Sequence, residues 1–101
     1  KVTEGLDGLR ERLKKYYELG ARFTKWRGVY NIKEKNPSKL AISSNAHALA
    51  RYSALVQESG MVPIVEPEVL MDGEHSAEDC FIKTSEVIKK CFEELIIHKI
   101  D

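Results

Sequence analysis

Two short stretches decide the fold, ARFTKWRGVY at residues 21–30 and VPIVEPE at residues 62–68. The first is rich in aromatic and β-branched side chains and the second is largely apolar, and both patterns are typical of β-strands. A polar loop at residues 31–37 ends in Asn-Pro after the first stretch, and Asp72-Gly73 marks a turn after the second. The chain therefore carries two predicted strands with a long intervening segment.

Helical periodicity fills the segments before and between these strands. Leucines recurring at steps of three and four predict a first helix at about residues 3–19, although Gly5 and Gly8 weaken its first turns. A second helix is predicted from a cap at Ser38 to about Ser59. Its predicted inner face is formed by Ile42, Ala46, Leu49 and Val56.

A third helix is predicted at the end of the chain, where Ser76 and Asp79 resemble a capping box. Its predicted inward residues are Val87, Ile88, Cys91 and Leu95. The order α-β-α-β-α favours an α/β fold with two parallel strands joined by a right-handed crossover. Because a sheet of two parallel strands leaves both edges open, the pattern predicts a slice of a larger barrel or doubly wound sheet.

Composition limits the classes of function. The chain has 101 residues, of which 43% are hydrophobic and 32% charged, so it is one domain at most. Lys+Arg and Asp+Glu both number 16, and this zero net charge argues against a general nucleic-acid binder. No run approaches the roughly 18 apolar residues of a membrane span. Since the first residue is Lys1 and no charged-then-apolar leader follows, we expect the chain to be a processed protein, an expressed fragment or part of a longer polypeptide.

The cysteines and histidines predict neither a disulfide nor a metal site. Cys80 and Cys91 fall in one predicted helix, roughly 16 Å apart, whereas a disulfide needs Cα atoms within about 7 Å. Reduced thiols fit a cytoplasmic protein. His47, His75 and His98 show no metal-ligand spacing with a cysteine or with one another, so no metal is expected.

Charged side chains follow the apolar part of each predicted strand. Alternation places Lys25 and Arg27 on one face of the first strand, and Glu66 and Glu68 on one face of the second. If the strands are neighbours, Glu66 and Lys25 could meet, and the cations would keep the carboxylate ionised as a proton acceptor. The cations would also leave a positive rim for a phosphate or oxyanion. The alternative is that all four charges lie in loops past the strand ends, solvated and without function.

Trp26 admits two interpretations. Between Lys25 and Arg27 it could be a stacking platform for a nucleic-acid base. A tryptophan on a buried strand face is more often part of the core, and the zero net charge also argues against nucleic acid.

The sequence resembles the class I fructose-bisphosphate aldolases over essentially its full length. The matching stretches are VTEGLDGL (2–9), ARFTKWRGVY (21–30), PSKLAI followed by NAHALARY (37–52) and GMVPIVEPEVLMDGEH (60–75). Within them, FTKWR and IVEPE at this spacing are highly specific. The resemblance implies that residues 1–101 are part of a single TIM (β/α)8 barrel domain, supplying strands four and five with the flanking helices.

The resemblance also implies a lyase of glycolysis that cleaves fructose 1,6-bisphosphate reversibly to dihydroxyacetone phosphate and glyceraldehyde 3-phosphate. Such enzymes use a lysine Schiff base and need no metal or other cofactor. They are cytoplasmic and commonly homotetrameric, and they often associate with cytoskeletal or adhesin partners. A sugar phosphate is thus the expected ligand, and neither nucleic acid nor membrane is expected as a partner.

Four residues match positions of the family's active site. The resemblance assigns proton transfer to Glu66, substrate contact to Lys25, the substrate phosphate end to Arg27 and a supporting catalytic role to Glu68. The Schiff-base lysine is expected just beyond Asp101, so the segment alone should be inactive. The alternative function is a non-catalytic fragment that acts as a protein-binding module.

Overall fold

A computed structural model describes residues 2–32, 37–70 and 75–101 of the chain. Residues 33–36 of the predicted loop and the predicted Asp72-Gly73 turn lie outside these ranges. The order of elements is the predicted one: α1 (Leu9–Glu18), β1 (Phe23–Tyr30), α2 (Lys39–Glu58), β2 (Val62–Val69) and α3 (Ala77–Ile97). The α/β class is therefore confirmed.

The two strands are direct neighbours in one parallel sheet. Their register runs from Phe23 opposite Val62 to Tyr30 opposite Val69. With α2 as the crossover between them, this is the predicted βαβ arrangement. The described residues form no other strand, so each strand leaves one edge unpaired.

One face of the sheet packs against the helices and contains the core. Trp26 lies on this face, edge-on to Tyr52 with ring centroids 5.1 Å apart, and its indole N–H donates to Thr3 Oγ1 at 2.8 Å. At Gly28 the sheet packs against α2, because a Cβ there would be in van der Waals contact with Leu49 at 3.6 Å. The predicted inner face of α2 is confirmed, since all four of its residues are buried: Ile42, Ala46, Leu49 and Val56.

The first helix is shorter than predicted, because it begins at Leu9 and not near residue 3. Gly5 and Gly8 have φ angles of +146° and +62°, which a right-handed helix does not contain. The non-helical segment at residues 2–8 instead lies against Trp26, and a Cβ at Gly5 would lie 3.0 Å from its ring. The Arg12 side chain ties this segment to α1 by donating to the carbonyl of Gly5 at 2.7 Å.

Both predicted N-caps are confirmed. Ser38 Oγ accepts from the Ala41 amide at 3.1 Å at the start of α2. Ser76 Oγ accepts from the Asp79 amide at 3.0 Å at the start of α3. None of the helices within the described residues is long and apolar enough to cross a membrane.

The inward face predicted for α3 is wrong at one position. Val87 and Cys91 are buried and Leu95 is partly buried, but Ile88 is 41% exposed. Successive residues of a helix point about 100° apart. Because α3 contacts α2 and β2 along the stripe of Val87 and Cys91, the adjacent Ile88 faces away from both.

The opposite face of the sheet is covered by none of the described elements. Its first residues are apolar and strongly exposed, with Phe23 at 67%, Val62 at 63% and Ile64 at 43%. Charged residues follow toward the carboxyl ends of the same strands. This face therefore presents an apolar band and then a group of charges.

Candidate active site

Four charged residues of β1 and β2 form one group, here called the strand charge cluster: Lys25, Arg27, Glu66 and Glu68. The parallel register places Arg27 opposite Glu66, with Lys25 one side-chain position earlier on the same face. Lys25 Nζ and Arg27 Nε each lie 3.4 Å from Glu66 Oε2. Arg27 Nε also lies 3.1 Å from Glu68 Oε2. The predicted meeting of Glu66 and Lys25 is thus confirmed.

The alternative of solvated loop charges is wrong for this cluster. All four residues lie within β1 and β2, not in loops beyond the strands. Each side chain is paired across the sheet and is between 36% and 53% exposed, which leaves it accessible from the uncovered face.

Glu66 lies at the centre of the cluster. Its Oε2 is shielded from solvent, and both cation contacts are longer than an ordinary hydrogen bond of about 2.9–3.0 Å. Partial desolvation acts to raise the pKa of Glu66, but the charges and hydrogen bonds of Arg27 and Lys25 together outweigh it. The pKa of Glu66 is therefore below its usual value. The carboxylate is ionised at neutral pH and can accept a proton, as the sequence predicts.

The cluster has no surplus positive charge, which differs from the predicted positive rim. Two cations are matched by two carboxylates, and Arg27 contacts both of them. Lys25 contacts one carboxylate but has three N–H donors, so it keeps donors for a ligand. Within the cluster, Lys25 is consequently the group best able to bind an incoming oxygen.

The remaining candidates from the sequence are structural. Trp26 lies on the helix-facing side of β1, opposite Lys25 and Arg27, so it cannot stack a ligand held by them. Both cysteines are free thiols, as predicted, and burial raises the pKa of Cys91, which makes that thiol unreactive.

A second polar cluster was not found from the sequence. His47, Glu94 and His98 come together where α2 meets the end of α3, with one ligand-type atom of each within 4.8 Å of the others. His47 and His98 are too distant in sequence for a recognisable spacing. The usable signal was Glu94 and His98, which are separated by four residues and therefore share one helix face.

A parallel α/β segment whose charged side chains lie in the middle and toward the carboxyl ends of its strands fits the TIM-barrel enzymes. More specifically, the chain belongs to the class I fructose-bisphosphate aldolase family. The family model described as "Glycolytic: Fructose-bisphosphate aldolase class-I" matches residues 1–101.

Curated relatives agree with this family. A probable fructose-bisphosphate aldolase class 1 of Xanthomonas campestris is 62% identical over 91 residues, covering 90% of this chain and 27% of the relative. The cytosolic fructose-bisphosphate aldolase 4 of Arabidopsis thaliana is 54% identical over 99 residues, covering 98% of this chain and 25% of the relative. The chain thus spans about a quarter of the length of these relatives.

A solved structure gives the same result for the fold. The chain superposes with a TM-score of 0.88 and 49% identity on fructose-bisphosphate aldolase from Plasmodium falciparum, in a complex with TRAP and a small-molecule inhibitor. The match covers 93% of this chain and 28% of that one. The chain is therefore a segment of a TIM barrel, which accounts for the open edges and uncovered face of its sheet.

Proposed function

We propose that the whole protein is a class I aldolase that cleaves fructose 1,6-bisphosphate reversibly to dihydroxyacetone phosphate and glyceraldehyde 3-phosphate. The observation that carries the proposal is the family match over residues 1–101. The convergence of Lys25, Arg27 and Glu66 on the sheet face that a barrel would enclose supports it further.

In this proposal Glu66 transfers protons and Lys25 binds substrate oxygens. A substrate oxygen or phosphate that draws Lys25 or Arg27 away would remove the attraction that lowers the pKa of Glu66. The carboxyl group would then hold a proton more readily in the substrate complex than in the empty site. Arg27 would contact the phosphate end of the substrate, and Glu68 would retain and orient the guanidinium.

The nucleophile of the proposed reaction is a lysine outside this chain, on the barrel strand that follows. Lys83, Lys89 and Lys90 belong to α3, which lies on the helix side of the sheet. A Schiff-base lysine must be desolvated next to the substrate, and the uncovered face that holds Glu66 is on the opposite side. Residues 1–101 would supply barrel strands four and five, and the whole enzyme would be a cytoplasmic homotetramer.

The test is covalent trapping in the full-length protein. Incubation with fructose 1,6-bisphosphate or dihydroxyacetone phosphate, followed by borohydride, should add the mass of one reduced triose phosphate per chain. Peptide mapping should place the adduct on a lysine outside residues 1–101. Borohydride without sugar phosphate is the control, and an absence of adduct under turnover conditions would refute the proposal.

Protein binding is a second candidate function, for which the Plasmodium structure is the specific support, since that aldolase is in a complex with TRAP. Under this alternative the segment retains a docking surface for adhesin or cytoskeletal partners without catalysis. Cosedimentation of the 101-residue segment with cytoskeletal filaments, at the level of the full-length protein, would favour it. Binding seen only with the full-length protein would count against it.

A further inference from the structure

We infer that His47, Glu94 and His98 form a binding site for a divalent transition-metal ion, with Zn²⁺ as the ion that fits best. His47 projects from the middle of α2, and Glu94 and His98 lie at the end of α3. One nitrogen or oxygen of each lies within 4.8 Å of the other two. Because the site lies in the helix layer, the inference does not depend on the proposed function.

The two helices supply the ligands in an arrangement suited to a metal. Glu94 and His98 are one helical turn apart on α3, the spacing by which helices present two ligands to one ion. His47 comes from α2, the helix against which α3 packs. The ring centroids of His47 and His98 are 5.1 Å apart and the rings are inclined at 66°, so the two imidazoles lie edge to face and not stacked.

His98 is already oriented as a ligand. Its Nδ1 lies 2.9 Å from the carbonyl oxygen of Glu94. Since a carbonyl oxygen can only accept, Nδ1 carries the proton and the lone pair is on Nε2. Metal-binding histidines usually donate their other ring N–H to a backbone carbonyl or a carboxylate in this way, which fixes the tautomer and the ring orientation.

Glu94 Oε2 lies 3.3 Å from His47 Nδ1 and 3.7 Å from His98 Nδ1. Because His98 Nδ1 donates to the Glu94 carbonyl, His98 would bind an ion through Nε2, and the Glu94 carboxylate would turn toward that ion. Glu94 Oε1 lies 3.9 Å from Lys90 Nζ, the cation that would compete with a metal. Lys90 has a second partner, because Glu93 lies 3.6 Å away, so Glu94 can turn toward an ion without leaving Lys90 unpaired.

The movement needed to close the site is small. Zinc bonds of about 2.0–2.1 Å in a tetrahedron require ligand atoms about 3.3 Å apart. Atoms that lie up to 4.8 Å apart would therefore close by at most about 1.5 Å. The His47 side chain is 52% exposed and its ring can rotate. A surface cleft of about 500 Å³, lined by both histidines and Arg51, leaves room for water or an anion as the fourth ligand. Two imidazoles, one carboxylate and an open position form a typical zinc donor set, whereas Mg²⁺ and Ca²⁺ prefer oxygen ligands.

The experiment is Zn²⁺ titration of the full-length protein at neutral pH, by calorimetry after removal of metals with a chelator. We expect wild type to bind about one more Zn²⁺ per chain than the His98→Ala and Glu94→Gln variants. Loss of an outer-shell partner already costs about 10–100-fold in metal affinity, so loss of a ligand should cost at least as much. X-ray absorption at the zinc edge should show nitrogen and oxygen ligands and no sulfur.

Two matched variants separate this site from other histidines and carboxylates. Glu93→Gln removes the neighbouring carboxylate that shares Lys90, and His75→Ala removes the third histidine of the chain. Both should bind Zn²⁺ as wild type does. Identical titrations for wild type and His98→Ala, or a sulfur-dominated spectrum, would overturn the inference. Chelation should not change aldolase turnover, so failure of this site and failure of the proposed function give different results.

Discussion

Two opposing effects act on the Glu66 carboxyl group, and the net result is a pKa below its usual value. Its Oε2 is shielded from water, which alone would favour the neutral acid, yet Arg27 and Lys25 at 3.4 Å hold it ionised. A group held by two cations changes its proton affinity whenever either cation changes partner. In the proposed reaction, proton transfer at Glu66 would therefore be coupled to ligand binding at Lys25 and Arg27.

Replacing Glu66 by Ala in the full-length protein should lower kcat by about 10²–10⁴-fold, the usual range for a lost acid/base group. Steady-state cleavage of fructose 1,6-bisphosphate is the measurement. Glu86→Gln, which removes an exposed carboxylate paired with Lys83 on α3, is the matched control and should retain full activity. An unchanged kcat in Glu66→Ala would exclude the proposed proton transfer.

Replacing Arg27 by Ala should shift the pH dependence of the enzyme. The charge of Arg27 is the largest single influence that lowers the pKa of Glu66, so removing Arg27 raises that pKa. The acid limb of the kcat/KM profile should consequently move to higher pH, because less Glu66 is ionised at mildly acidic pH.

Arg27→Lys keeps the positive charge and provides the comparison for that shift. It should return the acid limb toward its wild-type position, while KM for the bisphosphate stays raised because the planar fork of arginine is lost. Equal acid limbs in wild type and Arg27→Ala would show that the charge of Arg27 does not control the ionisation of Glu66.

At the level of elements, alternation along the strands predicted which face of the sheet each side chain occupies, but not which residues of the two strands lie opposite each other. The sequence places Lys25 and Arg27 on one face, and Glu66 and Glu68 on one face. The register that brings Arg27 opposite Glu66 depends on how the crossover helix α2 positions the second strand against the first. No local sequence pattern encodes that register. The apolar periodicity of the first helix likewise extended through Gly5 and Gly8, whose left-handed backbone depends on contacts with Trp26 and Arg12.

The cluster of His47, Glu94 and His98 shows even more clearly that a sequence pattern does not reveal contacts between distant residues. His47 and His98 are brought together by the packing of α3 on α2, a long-range contact that residue spacing cannot reveal. The exposure of Ile88 also depends on which stripe of α3 contacts its neighbours. Periodicity identifies an amphipathic helix, whereas its exact rotation is set by tertiary packing.

The segment at residues 2–8 should depend on glycine at position 5. The backbone at Gly5 has a φ of +146°, which residues with a side chain rarely adopt. An added Cβ would also lie 3.0 Å from the Trp26 ring, so Gly5→Ala combines backbone strain with a clash. Gly20→Ala is the matched control, because its φ is +108° and no atom lies within 4 Å of the added Cβ.

Denaturant unfolding of the full-length protein, followed by tryptophan fluorescence, should show the difference. Gly20→Ala should cost about 1–2 kcal/mol from backbone strain. Gly5→Ala should cost about 1–3 kcal/mol more, in the range of overpacking. Equal losses in both variants would show that the 2–8 segment does not pack on Trp26.

At the level of the whole molecule, the segment has a core on only one side of its sheet. The helices cover the Trp26 face, while Phe23, Val62 and Ile64 stay exposed within the described residues. In a TIM barrel the corresponding face is covered by side chains from the other strands. A chain that spans about a quarter of its relatives therefore leaves this apolar band to be buried by the rest of the barrel.

The isolated 101-residue segment should accordingly lack aldolase activity and bind hydrophobic dyes such as ANS, whereas the full-length protein binds little. We expect the dye to bind to the apolar band and not to a partly unfolded core. Phe23→Ser in the segment should therefore reduce ANS binding. Leu40→Ser is the matched control, because Leu40 is 75% exposed but lies on α2, away from the sheet face. ANS fluorescence per mole of segment measures the difference. Equal reductions in both variants, or an active and dye-free segment, would show that residues 1–101 complete their core without the other barrel strands.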